Sequence, residues 1–295
     1  MPFWTYFFEV SIVIFYLYLF IYQLKKKEYR KISTLIAGFL FGMLLEFINI
    51  GLGGSYGYSR EFILQAGTPP VNIPIAVGLA WGMLFQTSHE ISDCYDFPIL
   101  VRTLFESLIV VSIDIFLDVT AIRLDGGFWT WNDEVMTLMI TSRTLYGVPW
   151  GNYYGWFCVI FFMSLILHLF DKRQDSDKIG RLTKRTFLSV VIAETCLFSS
   201  LLLTVPLFNF TWLMFSIQYF GSIIILVVYS IRNKISRNHQ LETLFPFVFY
   251  LYFWGFTIAT MIYLGFAIEL LVFFIFNIAY AAIILIYLIR LSKFK

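Results

Sequence analysis

Charge is the scarcest ingredient of this chain. Asp, Glu, Lys and Arg make up 14% of its 295 residues, where a soluble domain carries about 25%. Cysteine and histidine are nearly as sparse, with three of each. Cys94, Cys158 and Cys196 form no CxxC pair and read as core filler, so neither a disulfide framework nor a thiolate metal site is expected. His89, His168 and His239 are too few for a di-iron hydroxylase or desaturase. No lysine stands inside an apolar run, which leaves a retinal-type Schiff base without an anchor. What is abundant is hydrophobic side chain, at 59%, including 20% aromatic. The apolar residues come in long stretches such as Ile223–Tyr229 and Leu270–Leu288. Soluble globules, disordered chains, collagen-like fibres and disulfide-knit secreted modules are excluded.

The fold class expected is all-α, a polytopic helical membrane protein. A helix needs about 20 apolar residues to cross the hydrocarbon. That ruler gives nine spans: 3–24, 33–50, 71–89, 98–121, 153–170, 186–206, 209–231, 245–263 and 266–289. The last two are parted only by a tight turn near Leu264–Gly265, so a count of eight is the alternative. Met1–Val10 lacks a basic leader and a small-residue cleavage site, and reads as the start of a retained span.

The basic residues orient the spans. Lys25, Lys26, Lys27, Arg30 and Lys31 share one side with Arg102, the Lys172–Arg185 cluster, Arg232, Lys234, Arg237, Arg290, Lys293 and Lys295. Arg60, Arg123 and Arg143 fall on the other. Basic residues concentrate on the cytoplasmic side of membrane proteins, so the expectation is N-terminus outside and C-terminus inside the cytoplasmic membrane. Gly38 with Gly42 and Gly78 with Gly82 carry the small-xxx-small spacing that lets helices approach closely.

Acids inside a bilayer cost about 2.5–3.5 kcal/mol each at mid-depth, so each needs a reason. Glu46, Glu106, Asp114, Asp118, Glu194 and Glu269 are the candidates. Rising ~1.5 Å per residue, Glu46, Asp114 and Asp118 reach a similar height in the outer part of the membrane. Asp114 and Asp118 are one helical turn apart and share a face. Closely spaced buried carboxyls cannot all ionise, and a neutral acid beside an ionised one is equipment for general acid–base chemistry. Glu194 and Glu269 lie elsewhere and read as structural.

The two longest outer segments, 51–70 and 122–152, are rich in Gly, Tyr and Trp. An aromatic belt at the membrane surface accounts for isolated Trp and Tyr. It does not account for Asn132 and Asn152, nor for glycines that let backbone bend inward. Aromatic faces can also hold a polyene and stabilise a carbocation.

Leu117-Asp118, then Gly127-Phe128-Trp129-Thr130-Trp131, then Tyr146-Gly147-Val148-Pro149-Trp150-Gly151-Asn152-Tyr153-Tyr154-Gly155-Trp156 resembles the signature of the microbial carotenoid 1,2-hydratases of the CruF type. Glu46 followed by Gly53, Gly54, Tyr56 and Tyr58, and then the Pro74–Trp81 run, is similar to their upstream region. The likeness covers about residues 42–160, inside an expected catalytic region of 1–185, with 186–295 adding further helices of the same integral domain. Val119 stands where that family usually has proline, and no motif is recognised beyond about residue 185.

The resemblance implies a hydro-lyase without metal or other cofactor. Such an enzyme adds water across the terminal isopropylidene double bond of a carotene. It implies Asp118 or Asp114 as proton donor and Glu46 as the base that activates water, with the roles interchangeable. Trp129, Trp131, Tyr146 and Trp156 would shield the cation, Asn152 would position water, and Tyr56, Tyr58 and Trp81 would line the substrate. The expected partners are a lipid-soluble polyene and membrane lipid, with no nucleic acid. Two other readings stay open: an isoprenoid cyclase or isomerase that starts with the same protonation, and a transporter or lipid-binding scaffold. Transport predicts polar residues through the full depth and broken helices at mid-membrane.

Overall fold

A computed structural model describes residues 2–54, 56–131, 136–173, 179–235, 237 and 239–292. Asn132 lies outside the described residues. The chain divides into two compact units. Unit 1 comprises Met1–Gln86, Asp125–Asp133 and Cys158–Asn209; unit 2 comprises Thr87–Leu124, Glu134–Phe157 and Phe210–Lys295.

The long helices are α1 (Phe3–Lys26), α2 (Tyr29–Gly51), α3 (Ile75–Ser92), α4 (Ile99–Ala121), α5 (Trp150–Arg173), α6 (Ile179–Thr204), α7 (Thr211–Asn233), α8 (Phe245–Tyr263) and α10 (Leu271–Leu291), with a short α9 (Phe266–Glu269) between the last two. All but α9 stand where an apolar span was expected. Seven of them, α1, α2, α5, α6, α7, α8 and α10, are long and apolar enough to cross a membrane. The chain is an integral membrane protein built on helices. In α3 the run Gln86-Thr87-Ser88-His89-Glu90 dilutes the hydropathy, and α4 carries Arg102, Glu106, Asp114 and Asp118 along its length.

Three details depart from the expected spans. Residues 71–74 are strand β3 (Val71–Pro74), paired antiparallel with β2 (Gln65–Thr68), so the third helix begins only at Ile75. Asn72, whose side chain donates to Gln65, belongs to this hairpin rather than to an apolar helix. The 266–289 span is broken after Glu269, and Glu269 is exposed. Residues 51–70 and 122–152 also carry two more short pairings among the described residues. One joins β1 (Tyr56–Tyr58) and β4 (Trp129–Trp131), the other β5 (Thr144–Leu145) and β6 (Val148–Pro149).

In unit 1 the glycine spacings do what their pattern foretold. A methyl group on Gly38 would lie 2.8 Å from Gly82 Cα, and one on Gly82 would lie 2.5 Å from the Leu35 carbonyl oxygen. The two helix backbones therefore touch at positions where only glycine fits. On its other flank α2 packs against α6. The Ser33 and Thr186 hydroxyls share a hydrogen bond of 2.8 Å, and Ser33 also donates to the Leu182 carbonyl. Arg185, fully buried, closes this contact through a forked pair to Asp171, 2.8 Å on each arm, and donates to Ser33 and Thr34. Both oxygens of its carboxylate partner are thus used, as a buried guanidinium requires.

Glu9, in the middle of apolar α1, is also accounted for. Its two oxygens accept the backbone N–H groups of Ile63 and Leu64, each at 2.7 Å. Thr5 donates backbone and hydroxyl hydrogens to Asp125.

In unit 2, α4 is deeply buried and packs against α7 and α8. Phe116 sits among the rings of Trp254, Phe273 and Tyr280, with centroid distances of 5.4, 4.9 and 6.2 Å. Lower on α4, Glu106 is fully buried. It meets His89 Nε2 at 3.2 Å and accepts the Ser92 hydroxyl.

Candidate functional site

The sequence-derived site residues fall into two groups, one in each unit.

In unit 1 the group is built on β1 and β4. A strand sends alternate side chains to the same face, so Tyr56 and Tyr58 share a face, as do Trp129 and Trp131. The antiparallel register sets Tyr56 opposite Trp131 and Tyr58 opposite Trp129. The paired rings meet at 4.9 and 6.1 Å. Beneath this ladder lies Glu46, 4% exposed, near the end of α2. The Tyr56 hydroxyl donates to Glu46 Oε2 and accepts from Asn49 Nδ2 at 3.2 Å. Tyr58 and Trp81 also lie within hydrogen-bonding reach of the Glu46 carboxyl. Burial first, and the Glu46 charge second, push the Tyr56 hydroxyl well above its ordinary pKa, so it remains a donor.

Gly42 makes this possible. A side-chain carbon there would lie 2.4 Å from the Trp81 ring, so the missing side chain is the space the indole occupies. The Trp131 indole N–H is buried and has no acceptor among the described residues. Glu46, Tyr56, Tyr58, Trp81, Trp129 and Trp131 are thus gathered in unit 1.

In unit 2 the group is Asp114, Asp118 and Asn152. The aspartates are one turn apart on α4, at 0% and 1% exposure. Asn152 Nδ2 donates to Asp118 Oδ2 at 2.6 Å and to Asp114 Oδ2 at 3.2 Å. Both carboxyls thus meet the same amide. Asp114 Oδ1 has no partner among the described residues.

The GVP block explains how Asn152 arrives there. Tyr146 and Gly147 both have positive φ, 51° and 88°, and form the two-residue turn between β5 and β6. That conformation is the one a tight hairpin prefers, and glycine adopts it without strain. The chain then enters α5 at Trp150, whose indole donates to the Thr141 carbonyl at 2.9 Å. Asn152 and Trp156 stand one turn apart at the start of α5. The Tyr146 ring packs 4.9 Å from Phe273.

Arg123, which carried no expectation, fixes this arrangement. It donates to the carbonyls of Val119, Thr137 and Tyr146 at 2.7, 3.0 and 2.7 Å, and lies 5.4 Å over the Phe266 ring. The end of α4, which holds Asp118, is thereby tied to the hairpin that delivers Asn152. Burial pulls the Arg123 guanidinium below its ordinary pKa. The valine at 119 leaves α4 unbroken to Ala121, with the Ile122 N–H on the Asp118 carbonyl.

With these groups in place, comparison with known proteins becomes specific. The family model described as carotenoid biosynthesis protein matches residues 7–213. The chain belongs to this family. As a carotenoid biosynthesis protein it carries both polar groups inside the matched region, which ends at the start of α7. No curated protein and no solved structure matches the chain.

Proposed function

We propose that this carotenoid biosynthesis protein is an enzyme that hydrates the terminal isopropylidene double bond of a carotene-like polyene. The observation that carries the proposal is the Asp114–Asp118 pair: two buried carboxyls one helical turn apart, both bound by the Asn152 amide. A carboxylic acid O–H delivers its proton to the less substituted alkene carbon, and the π electrons form that C–H bond. The tertiary cation left behind is captured by a water oxygen. A carboxylate removes the surplus proton, giving a tertiary alcohol with net gain of one water.

The donor in this scheme is Asp118 or Asp114. The acceptor is the aspartate left ionised. Aromatic faces lower the energy of a cation that no anion yet neutralises, and the Tyr146 ring of the same unit is of that kind. The reaction needs no electron transfer, so the scheme uses no redox cofactor and assigns no metal. Asp114 and Asp118 read as lying in the outer part of the membrane, and Asn152 closes an outer segment. We therefore place the chemistry toward the non-cytoplasmic side, with the N-terminus outside, and have the polyene enter laterally from lipid.

The test is expression of the intact chain in a host that makes a linear carotene, followed by mass analysis of the pigments. A product heavier by one water supports hydration. A new product of unchanged mass would instead mean cyclisation or isomerisation.

A further inference from the structure

The family match ends at residue 213, and the helices α7 to α10 follow. Their apolarity alone would make them anchors. Three buried rings of that segment nevertheless pack around the aspartate site of unit 2. Phe215 lies 6.1 and 5.6 Å from the rings of Trp150 and Tyr153, which bracket Asn152. Phe266 lies 5.4 Å from the Arg123 guanidinium, and Phe273 lies 4.9 Å from the Tyr146 ring.

The backbone of Tyr146 shows why such support is needed. In the two-residue turn between β5 and β6, asparagine or glycine takes a positive φ readily. Tyrosine at 51° does so against the clash of its own Cβ. A residue strained in this way persists where its surroundings over-determine it. Tyr146 is gripped twice: Arg123 donates to its carbonyl at 2.7 Å, and Phe273 packs on its ring. Phe273 also meets Phe116 at 4.9 Å, on the turn of α4 between Asp114 and Asp118. One side chain thus touches both parts of the site, the helix that carries the acids and the hairpin that delivers Asn152.

We propose that Phe273 is a positioning residue for the Asp114–Asp118 site. Seated between Phe116 and Tyr146, it sets the turn that brings Asn152 to the two carboxyls and fixes the direction of the Tyr146 ring. The segment beyond the family match therefore completes the site. Bulk alone does not meet this task. The Phe273 ring, tilted 31° and 56° to its two neighbours, makes ring-to-ring contacts of preferred spacing that an aliphatic side chain cannot make. The proposal rests on the hydratase reading for the identity of the reaction only.

The test uses the full-length protein purified in detergent and compares Phe273→Leu, Phe273→Tyr and Phe276→Leu with the wild type. Phe276 is exposed on the same helix and serves as the control. One readout is the initial rate of linear carotene conversion over a range of carotene concentrations. The other is hydrogen exchange at residues 145–148 against the amides of α10. Phe273→Leu should lower the saturating rate by up to about 100-fold, the scale of loss when a reacting group is misplaced. The carotene concentration giving half that rate should stay the same. Exchange at 145–148 should quicken while that of α10 holds. Phe273→Tyr keeps the ring and should recover most of the rate, and Phe276→Leu should match the wild type. Should Phe273→Leu not fold, Phe273→Met, whose flexible thioether fills irregular core space, takes its place under the same criteria.

A leucine variant that equals the wild type in either rate or exchange would overturn the proposal. So would an equal loss in Phe276→Leu. Carotene converted without gain of water would remove the hydratase reading and leave the comparison of rates intact. A wild-type protein that leaves carotene unchanged would end that reading, while exchange would still decide whether Phe273 holds the turn.

Discussion

The Tyr56 hydroxyl donates to the Glu46 carboxyl, joining strand β1 to the end of an apolar helix. The same hydroxyl accepts from Asn49, one turn further along that helix. Removing it leaves a buried acid and an amide each short of a partner. Tyr56→Phe should destabilise the protein by about 1–3 kcal/mol and slow carotene conversion. Thermal unfolding in detergent reads the first effect and pigment analysis the second. An unchanged unfolding temperature would mean that Glu46 is satisfied without Tyr56.

Asp118→Asn keeps the shape of the side chain and removes its acidity. General acid–base groups contribute about 100- to 10,000-fold to rate, and a loss within that range is expected with the protein still folded. Asp114→Asn should behave alike, because both carboxyls accept from the same Asn152 amide. Product made at the wild-type level by either variant would remove that residue from the mechanism.

Gly82→Ala should cost about 1–3 kcal/mol, the usual penalty for overpacking, because the added carbon meets the Leu35 carbonyl and not a side chain that can turn away. Gly255 has open space around its would-be Cβ, so Gly255→Ala serves as the control and should unfold at the wild-type temperature. Equal unfolding temperatures for the two variants would contradict the close approach of α2 and α3.

Arg123→Lys retains the charge but gives up the planar fork that reaches three carbonyls. Hydrogen exchange of Leu145 to Val148 should quicken, and product should fall while the aspartates remain intact. Exchange rates matching the wild type would show that the hairpin holds itself in place.

The helical frame was legible because crossing a bilayer demands length and apolarity, both of which a sequence displays directly. The glycine contacts were legible for a related reason: Gly38, Gly42, Gly78 and Gly82 advertise a spacing, and their only requirement is emptiness. The aromatic ladder was foreshadowed by Tyr56, Tyr58, Trp129 and Trp131, although their pairing across strands needed coordinates. Arg123 and Glu9 were not legible as to role. Each is a single charged residue whose meaning lies in partners elsewhere in the chain: three carbonyls and two amides. The strand at 71–74 was missed because Val71 and Ile73 are as apolar as the helix that follows. Only the side-chain bond from Asn72 to Gln65 and the ladder to β2 set that segment apart.

The grip of Glu9 on the amides of Ile63 and Leu64 has a consequence for how the protein can be taken apart or rebuilt. The first helix is more than greasy ballast, for one of its side chains completes the backbone of a segment more than fifty positions downstream. Exchanging it for a generic anchor of equal length and oiliness would leave two backbone donors without acceptors at once and loosen the turn leading into β2. Any truncated or fused version that omits this helix should be judged first by the condition of that distant turn.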